Sequence, residues 1–350
     1  MNHDSMPTRN NPSQTNDIGA RTDHRLGQIV RLLTDHPMLV VSGTKIAEEL
    51  GTGRSEVWRL IEQLRELGVA IEGHPTEGYR LVSIPDLLLP EMLAPKLKGT
   101  IFAENIQHYY RVGSTSAAAM QAAAEGEREG AVFIAEEQTS GKGRGGHDWD
   151  SASSVGIYCS VILRPNLAPA DVLVISLAAG LAVFAAAEEL TGIRPDLRWP
   201  NDVLFGDKKF CGILTELNAE VTRVRYVVVG IGMNINQESF SGELQDIATS
   251  VRIETGRSWS RVDFVAALLK SLDREYRALL DGSVSAHKSI LHRFEQRSSY
   301  ARRREVHVEE NGGYDGVTEG LDSRGFLQVR AADGLRTVLS GGVRARNAKI

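Results

Sequence analysis

The chain has 350 residues, 42% hydrophobic and 24% charged, with a formal net charge of −5. That length and composition predict two or three folded domains with real cores. The acidic balance excludes a global attraction to nucleic acid, so any DNA contact must come from a local surface.

The first stretch, residues 1–22, is polar and has no apolar segment of the signal-peptide kind; it reads as a disordered tail. Residues 23–83 form a small unit. "HRLGQIVRLL" carries Leu26, Ile29, Val30 and Leu33 at helical spacing. "SGTKIAEELG" predicts a short helix closed by Gly51. "GRSEVWRLIEQLRELG" places Val57, Leu60, Ile61, Leu64 and Leu67 on one face, with Ser55 as the expected N-cap and Gly68 as the stop. "VAIEGHPTEGYRLV" then predicts a hairpin. Three helices and a hairpin are a winged helix-turn-helix pattern. Its outward residues Arg54, Ser55, Trp58 and Arg59 are the candidates for DNA contact. Glu48, Glu49, Glu56 and Glu77 give the same region mixed charge.

"IPDLLLPEMLAP" reads as a linker into a second domain over residues 84–300. Four short Val/Ile-rich runs, "AVFIAEE", "VGIYCSVIL", "CGILTEL" and "RYVVVGIGMNIN", predict strands, and Leu173–Leu190 and Arg261–Leu280 predict helices. Strands and helices do not alternate one for one, which favours a mixed-sheet α+β domain over a doubly wound one. The apolar run Val172–Ala187 stops short of the roughly 20 residues of a membrane span and reads as a buried helix. Cys159 and Cys211 each sit in an apolar run and read as reduced core residues of a cytoplasmic protein. The tail, residues 301–350, alternates short strands with glycine turns and predicts a small β-barrel or sandwich.

Two motifs carry chemistry. "SGKGRGGHDW" fits the dinucleotide pattern G-x-G-x-x-G through Gly141, Gly143 and Gly146, but a polar turn and a strand follow where that fold requires a helix. It also lacks the Ser or Thr that follows G-K in a P-loop. What remains is a loop bearing Lys142 and Arg144, either a lid over an anion or a solvated turn. The second motif, "LRWPNDVLFGDKKFCGILTE", sets Asn201 and Asp202 just past a strand and Lys209 at the mouth of the next. "VVVGIGMNIN" adds Gly230, Gly232 and Asn234.

Together these motifs resemble the biotin protein ligases, whose pattern is G-R-G-R-x-G-R-x-W, then K-W-P-N-D, a lysine before G-I-L, and G-I-G-x-N. The resemblance runs through nearly the whole chain, and the helix-turn-helix places it with the bifunctional ligase/repressors. It implies a class II aminoacyl-tRNA-synthetase-like central domain and an SH3-like C-terminal barrel. It implies an enzyme that joins biotin and ATP into biotinoyl-5′-adenylate. The biotinoyl group then goes to a lysine of the biotin carboxyl carrier protein of acetyl-CoA carboxylase. The adenylate would promote a homodimer that binds operator DNA, and no membrane would be involved.

Carried over by position, Ser114, Thr115, Ser116, Gln138, Lys142, Gly143, Arg144, Lys209 and Gly212 would contact biotin. Lys142, Arg144, Trp149, Asn201, Asp202, Lys209 and Asn234 would contact ATP or the adenylate, with Asp202 also linked to Mg²⁺. Lys209 and Arg144 would be the catalytic cations. Lys142, His147 and Arg198 depart from the family's Arg, Arg and Lys, Ser116 replaces an Asn, and Gly342 stands where a glutamate is usual. The alternatives are a lipoate or octanoate ligase, echoed in "RGGHD", and a repressor that senses a ligand without turnover.

Overall fold

A computed structural model describes residues 25–34, 39–66, 69–74, 77–83, 86–280, 284–310 and 312–346. The tail expected over residues 1–22, together with Leu67 and Gly68, lies outside them. The chain divides into two units, Met1–Glu91 with His108–Tyr110, and Met92–Gln107 with Arg111–Ile350.

In the first unit, helices α1 (residues 25–34), α2 (Gly43–Glu49) and α3 (Arg54–Glu66) bury the apolar faces that their spacing predicts. The Ser42 hydroxyl accepts from the Lys45 amide and caps α2, and Gly51 follows that helix with φ +59°. Helix α3 begins before the expected cap: the Gly53 carbonyl accepts from Val57 N at 3.1 Å, so Ser55 lies inside the first turn. Glycine is an acceptable N-cap and needs no side-chain oxygen there. Strands β1 (Ala70–His74) and β2 (Gly78–Ser83) form the antiparallel wing. Arg65 ties α3 to this wing through two bonds to the Ile71 carbonyl, 3.0 and 2.8 Å. The stretch expected as a linker is packed instead. Leu87, Leu88 and Leu89 are buried and lead into the short helix α4 (Pro90–Leu93), because three consecutive leucines have too much apolar surface to remain in water.

The second unit holds a seven-stranded sheet, apart from the His108–Tyr110 segment of its first strand. Its members are β3 (Ile106–Val112), β4 (Val132–Gln138), β5 (Gly156–Leu163), β6 (Asp196–Arg198), β7 (Asp202–Phe205), β8 (Lys208–Ala219) and β9 (Val224–Asn234). Their order is β3-β4-β5-β9-β8-β7-β6. Neighbours from β4 onward pair antiparallel. Helix α5 (Thr115–Ala124) connects β3 to β4, and bonds from Val132 N to Asn105 O and from Thr139 N to Val112 O bracket those two strands running the same way. The sheet is therefore mixed, as expected.

Helix α6 (Leu173–Thr191) is buried on nearly every side. Counted with its lead-in from Pro169 it reaches 23 residues and is long and apolar enough to cross a membrane, beyond what the sequence run alone predicted. Its most apolar window is 78% buried in the protein, so it serves as a core helix. Short helices α7 (Leu244–Ile247) and α8 (Val251–Thr255) precede the longer α9 (Arg261–Leu280) and α10 (Val284–Gln296). Arg261, at the start of α9, is 1% exposed and lies 2.8 Å from the Glu136 carboxylate of β4. It also donates to the Gly156 carbonyl of β5 at 3.0 Å.

The tail forms a five-stranded antiparallel sheet of β10 (Arg302–Val308), β11 (Tyr314–Leu321), β12 (Leu327–Ala331), β13 (Gly334–Val338) and β14 (Val343–Ala345). The Trp199 indole N–H donates to the Gly325 carbonyl at 2.9 Å and anchors it to the larger sheet.

Replacing Glu136 with alanine leaves the Arg261 cation without that carboxylate in a dry interior. The expected loss is about 3–5 kcal/mol, read as a lower urea midpoint at unchanged denaturant slope.

Candidate functional site

Strand register explains where a cavity can form. Two cross-strand rows lie side by side on one face of the sheet: Tyr158, Gly232 and Gly212, then Ser160, Gly230 and Leu214. Three of these six positions lack a side chain, so the face has a shallow floor. A Cβ on Gly230 would lie 2.4 Å from Ser116 Oγ, so this glycine admits the start of α5. A Cβ on Gly232 would lie 2.5 Å from the Trp149 ring, and one on Gly212 would lie 2.8 Å from it. The indole therefore rests on the Gly212–Gly232 pair.

A cavity opens over this floor. Ser114, Thr115, Ser116, Gln138, Lys142, Gly143, Arg144, Trp149, Asn201, Lys209 and Gly212 all line it. Asp202 and Asn234 do not line it.

Ser114 caps α5, its hydroxyl accepting from Ala117 N. The Gln138 carbonyl oxygen accepts from Thr115 N at 2.8 Å and from Thr115 Oγ1 at 3.1 Å, and its amide donates to Ser151 Oγ at 2.9 Å. Ser160 joins the same network, 2.8 Å from Thr115 Oγ1 and 3.0 Å from Ser116 Oγ. Sequence reasoning missed Ser160. Its signal was present as a lone hydroxyl within the apolar strand "GIYCSVIL", where a buried polar group requires a partner.

The glycine-rich loop folds back on itself. Gly143 N donates to His147 O at 2.6 Å, Trp149 N donates to Gly141 O at 2.9 Å, and Gly145 and Gly146 hold φ of +70° and +83°. This brings Arg144 and Trp149 into the cavity wall. The indole N–H of Trp149 is buried without an acceptor among the described residues.

Lys209 enters from the opposite sheet region, at the start of β8, with its ammonium 5.2 Å from the Trp149 ring centroid. It lies 2.7 Å from one Asp202 oxygen, while Arg198 holds the other at 2.7 and 3.2 Å. Burial alone would raise the Asp202 carboxyl, but Lys209 and Arg198 outweigh it and hold the group below its usual range. Burial lowers the Arg144 guanidinium, and the charges of Asp202 and Glu310 partly offset that.

Two of the expected site residues thus lie outside the cavity lining. Both Asp202 oxygens are paired with cations, Lys209 on one and Arg198 on the other. Asn234, expected beside the adenylate, has its amide engaged elsewhere. It donates to Thr249 O at 3.1 Å and accepts from Gln237 at 3.2 Å. Thr249 N in turn donates to the Lys209 carbonyl at 3.0 Å, so Asn234 steadies the backbone that carries Lys209.

On α3 of the first unit, Arg54, Ser55, Trp58 and Arg59 are all exposed, Trp58 by 58%. The Arg59 fork is engaged by Glu56 at 2.8 and 2.7 Å. Arg54 has no ion-pair partner among the described residues.

The Asp202 clamp implies a pH signature. A carboxyl whose folded pKa is depressed contributes stability that is fully present above its unfolded value of about 3.9, and lost as pH falls through the lower folded value. The stability gap between wild type and Asp202→Asn should stay constant from neutral pH to about 5 and close only in stronger acid. Chemical denaturation at stepped pH measures it. Gly232→Ala should lift the Trp149 indole from its seat, visible as a change in tryptophan emission.

The profile of the Biotin/lipoate A/B protein ligase family matches residues 110–234, and an HTH domain profile matches residues 25–80. The chain is 32% identical to the Bifunctional ligase/repressor BirA of Bacillus spizizenii over 320 residues, covering 90% of this chain and 97% of that protein. It is 26% identical to the Escherichia coli protein of the same name, covering 88% and 94% respectively. Among solved structures, the Aquifex aeolicus biotin protein ligase in complex with biotin and ATP superposes with a TM-score of 0.59 at 31% identity. That likeness covers 69% of this chain and 99% of the Aquifex chain. Similarity at this level, running through helix-turn-helix and cavity alike, makes the chain a member of the biotin protein ligase family, in its bifunctional ligase/repressor branch.

Proposed function

We propose that this ATP-dependent biotin ligase makes and holds biotinoyl-5′-adenylate over the glycine floor, with Arg144 and Lys209 as the two cations that make the reaction possible. In the first step a biotin carboxylate oxygen attacks the α-phosphorus of ATP, and the bond to pyrophosphate breaks. In the second a lysine amine attacks the acyl carbon, AMP leaves with the bonding pair, and the amine loses a proton. Neither step needs a nucleophile from the enzyme. Burial pushes the Cys159 thiol up to about 12, which leaves it neutral. What the steps do need is neutralisation of two anions brought together, by cations fixed before the reaction.

The observation that carries this reading is the convergence of Arg144, from the loop, and Lys209, from β8, on one cavity. Lys209 has three donors, so its ammonium can keep Asp202 and still meet a carboxylate or phosphate. Thr115, Ser116, Gln138 and Ser160 supply a polar pocket that would suit the ureido ring of biotin. Trp149, with its unpaired N–H, would border the adenine. Asn201 donates to Ile213 O at 3.0 Å and shapes the wall, as Asp202 and Asn234 position Lys209. Mg²⁺ would come with the ATP phosphates and their waters.

The acceptor is the lysine of a biotin carboxyl carrier protein, in the cytoplasm. Through Arg54, Ser55, Trp58 and Arg59 the first unit would dock on operator DNA as half of a homodimer, Trp58 offering an apolar face and Arg59 a cation once released from Glu56.

Lys209→Ala should cost about 3–5 kcal/mol of transition-state stabilisation and bring biotin-dependent ATP–pyrophosphate exchange near background. Wild-type exchange would remove Lys209 from the chemistry, and exchange with lipoate but not biotin would reassign the substrate. Operator binding in a gel shift should tighten when biotin and ATP are both present; indifference to them would separate repression from ligation.

A further inference from the structure

The Arg144 guanidinium reaches past the cavity to the C-terminal sheet. Its Nη1 donates to the main-chain carbonyl of Gly341, 2.7 Å away and 197 positions further along the chain. Gly341 belongs to the turn over residues 339–342, between β13 and β14, and holds φ +88°.

One carboxylate holds this turn. Glu310 accepts from Ser340 N at 2.8 Å, Ser340 Oγ at 3.0 Å and Leu339 N at 3.2 Å. Glu309 N donates to Gly342 O at 2.9 Å and closes the other side. With those amides fixed, the Gly341 carbonyl is aimed at Arg144.

We propose that Glu310 is a positioning residue for ligation: it shapes the turn over residues 339–342 into a catch for Arg144, so that the C-terminal sheet holds the glycine-rich loop closed over the adenylate. This rests on the reading of that loop as a lid. A neutral carbonyl suits the task. It takes one of the five guanidinium donors and leaves the positive charge for a phosphate, whereas a carboxylate would engage the fork and cancel the charge, as Glu56 does to Arg59.

The test compares wild type, Arg144→Ala, Glu310→Ala, Glu310→Gln and the double alanine variant. The readout is biotinylation of serum albumin lysines by escaped adenylate, divided by the pyrophosphate-exchange rate. Glu310→Ala should raise this ratio about tenfold, the scale of losing one hydrogen bond to a charged group. Glu310→Gln should stay near wild type, because its amide oxygen still accepts from Ser340. The double variant should leak no more than Arg144→Ala alone, since both act on one contact. Glu319→Ala, which breaks the exposed pair with Arg330 in the same sheet, should leave the ratio unchanged and controls for loosening of that sheet. Should Glu310→Ala fail to fold, Glu310→Asp shortens the reach of the carboxylate and should still raise the ratio. If Arg144→Ala leaks and neither Glu310 variant does, the catch is overturned while the lid stands. Additive leakage in the double variant also overturns the catch. If Arg144→Ala does not leak, the lid reading falls and the catch with it.

Discussion

The site depends on a stretch of β-sheet that has no side chains. Gly212, Gly230 and Gly232 lie next to one another in register across β8 and β9, and each is approached more closely than a Cβ would allow. Gly230 lets the first turn of α5 down onto the sheet, which brings Thr115 and Ser116 within hydrogen-bond reach of Ser160. Gly212 and Gly232 seat the Trp149 indole. A methyl group at any of the three would move a wall of the cavity, because packed interiors absorb added volume poorly.

Charge is placed with similar economy of position. Behind the floor the Glu136–Arg261 pair is buried with its charges matched, and it fastens α9 to β4 and β5. At the rim, Arg198, Asp202 and Lys209 alternate in sign, which keeps Asp202 ionised despite burial and presents Lys209 to the cavity. Cys159 and Cys211 remain free thiols, and burial raises both above their ordinary range. The environment is built for cations facing anions. That suits a reaction in which a weakly electrophilic carboxylate is activated by a nucleotide and no enzyme nucleophile takes part.

The helix-turn-helix unit shows a different balance. Its outward helix face is mixed in charge, with Arg59 held by Glu56 and a third residue, Arg25, 3.7 Å from the same carboxylate. Phosphate contacts supply most non-specific DNA affinity, so a face whose arginines are partly neutralised favours modest binding.

Much of this was legible in the sequence. Residue pattern alone located α1, α2 and α3, the core helices α6 and α9 and four of the seven strands of the central sheet, β4, β5, β8 and β9, because burial imposes its period on the chain. The motifs around Arg144, Trp149, Asn201 and Lys209 singled out residues that the fold gathers into one cavity. Other features depend on partners distant in sequence and could not be read from it. Ser160 matters because a crossover sets it against Thr115, 45 positions earlier. The pairing of both Asp202 oxygens with Arg198 and Lys209, and of the Asn234 amide with Thr249, is likewise set only by folding. The leucines at 87–89 read as a linker because local pattern cannot say whether a surface exists to cover them. Sequence determines which groups are available and on what period they recur; only tertiary structure decides which are already satisfied by a neighbour and which are left for a substrate, since hydrogen bonds and ion pairs saturate at short range.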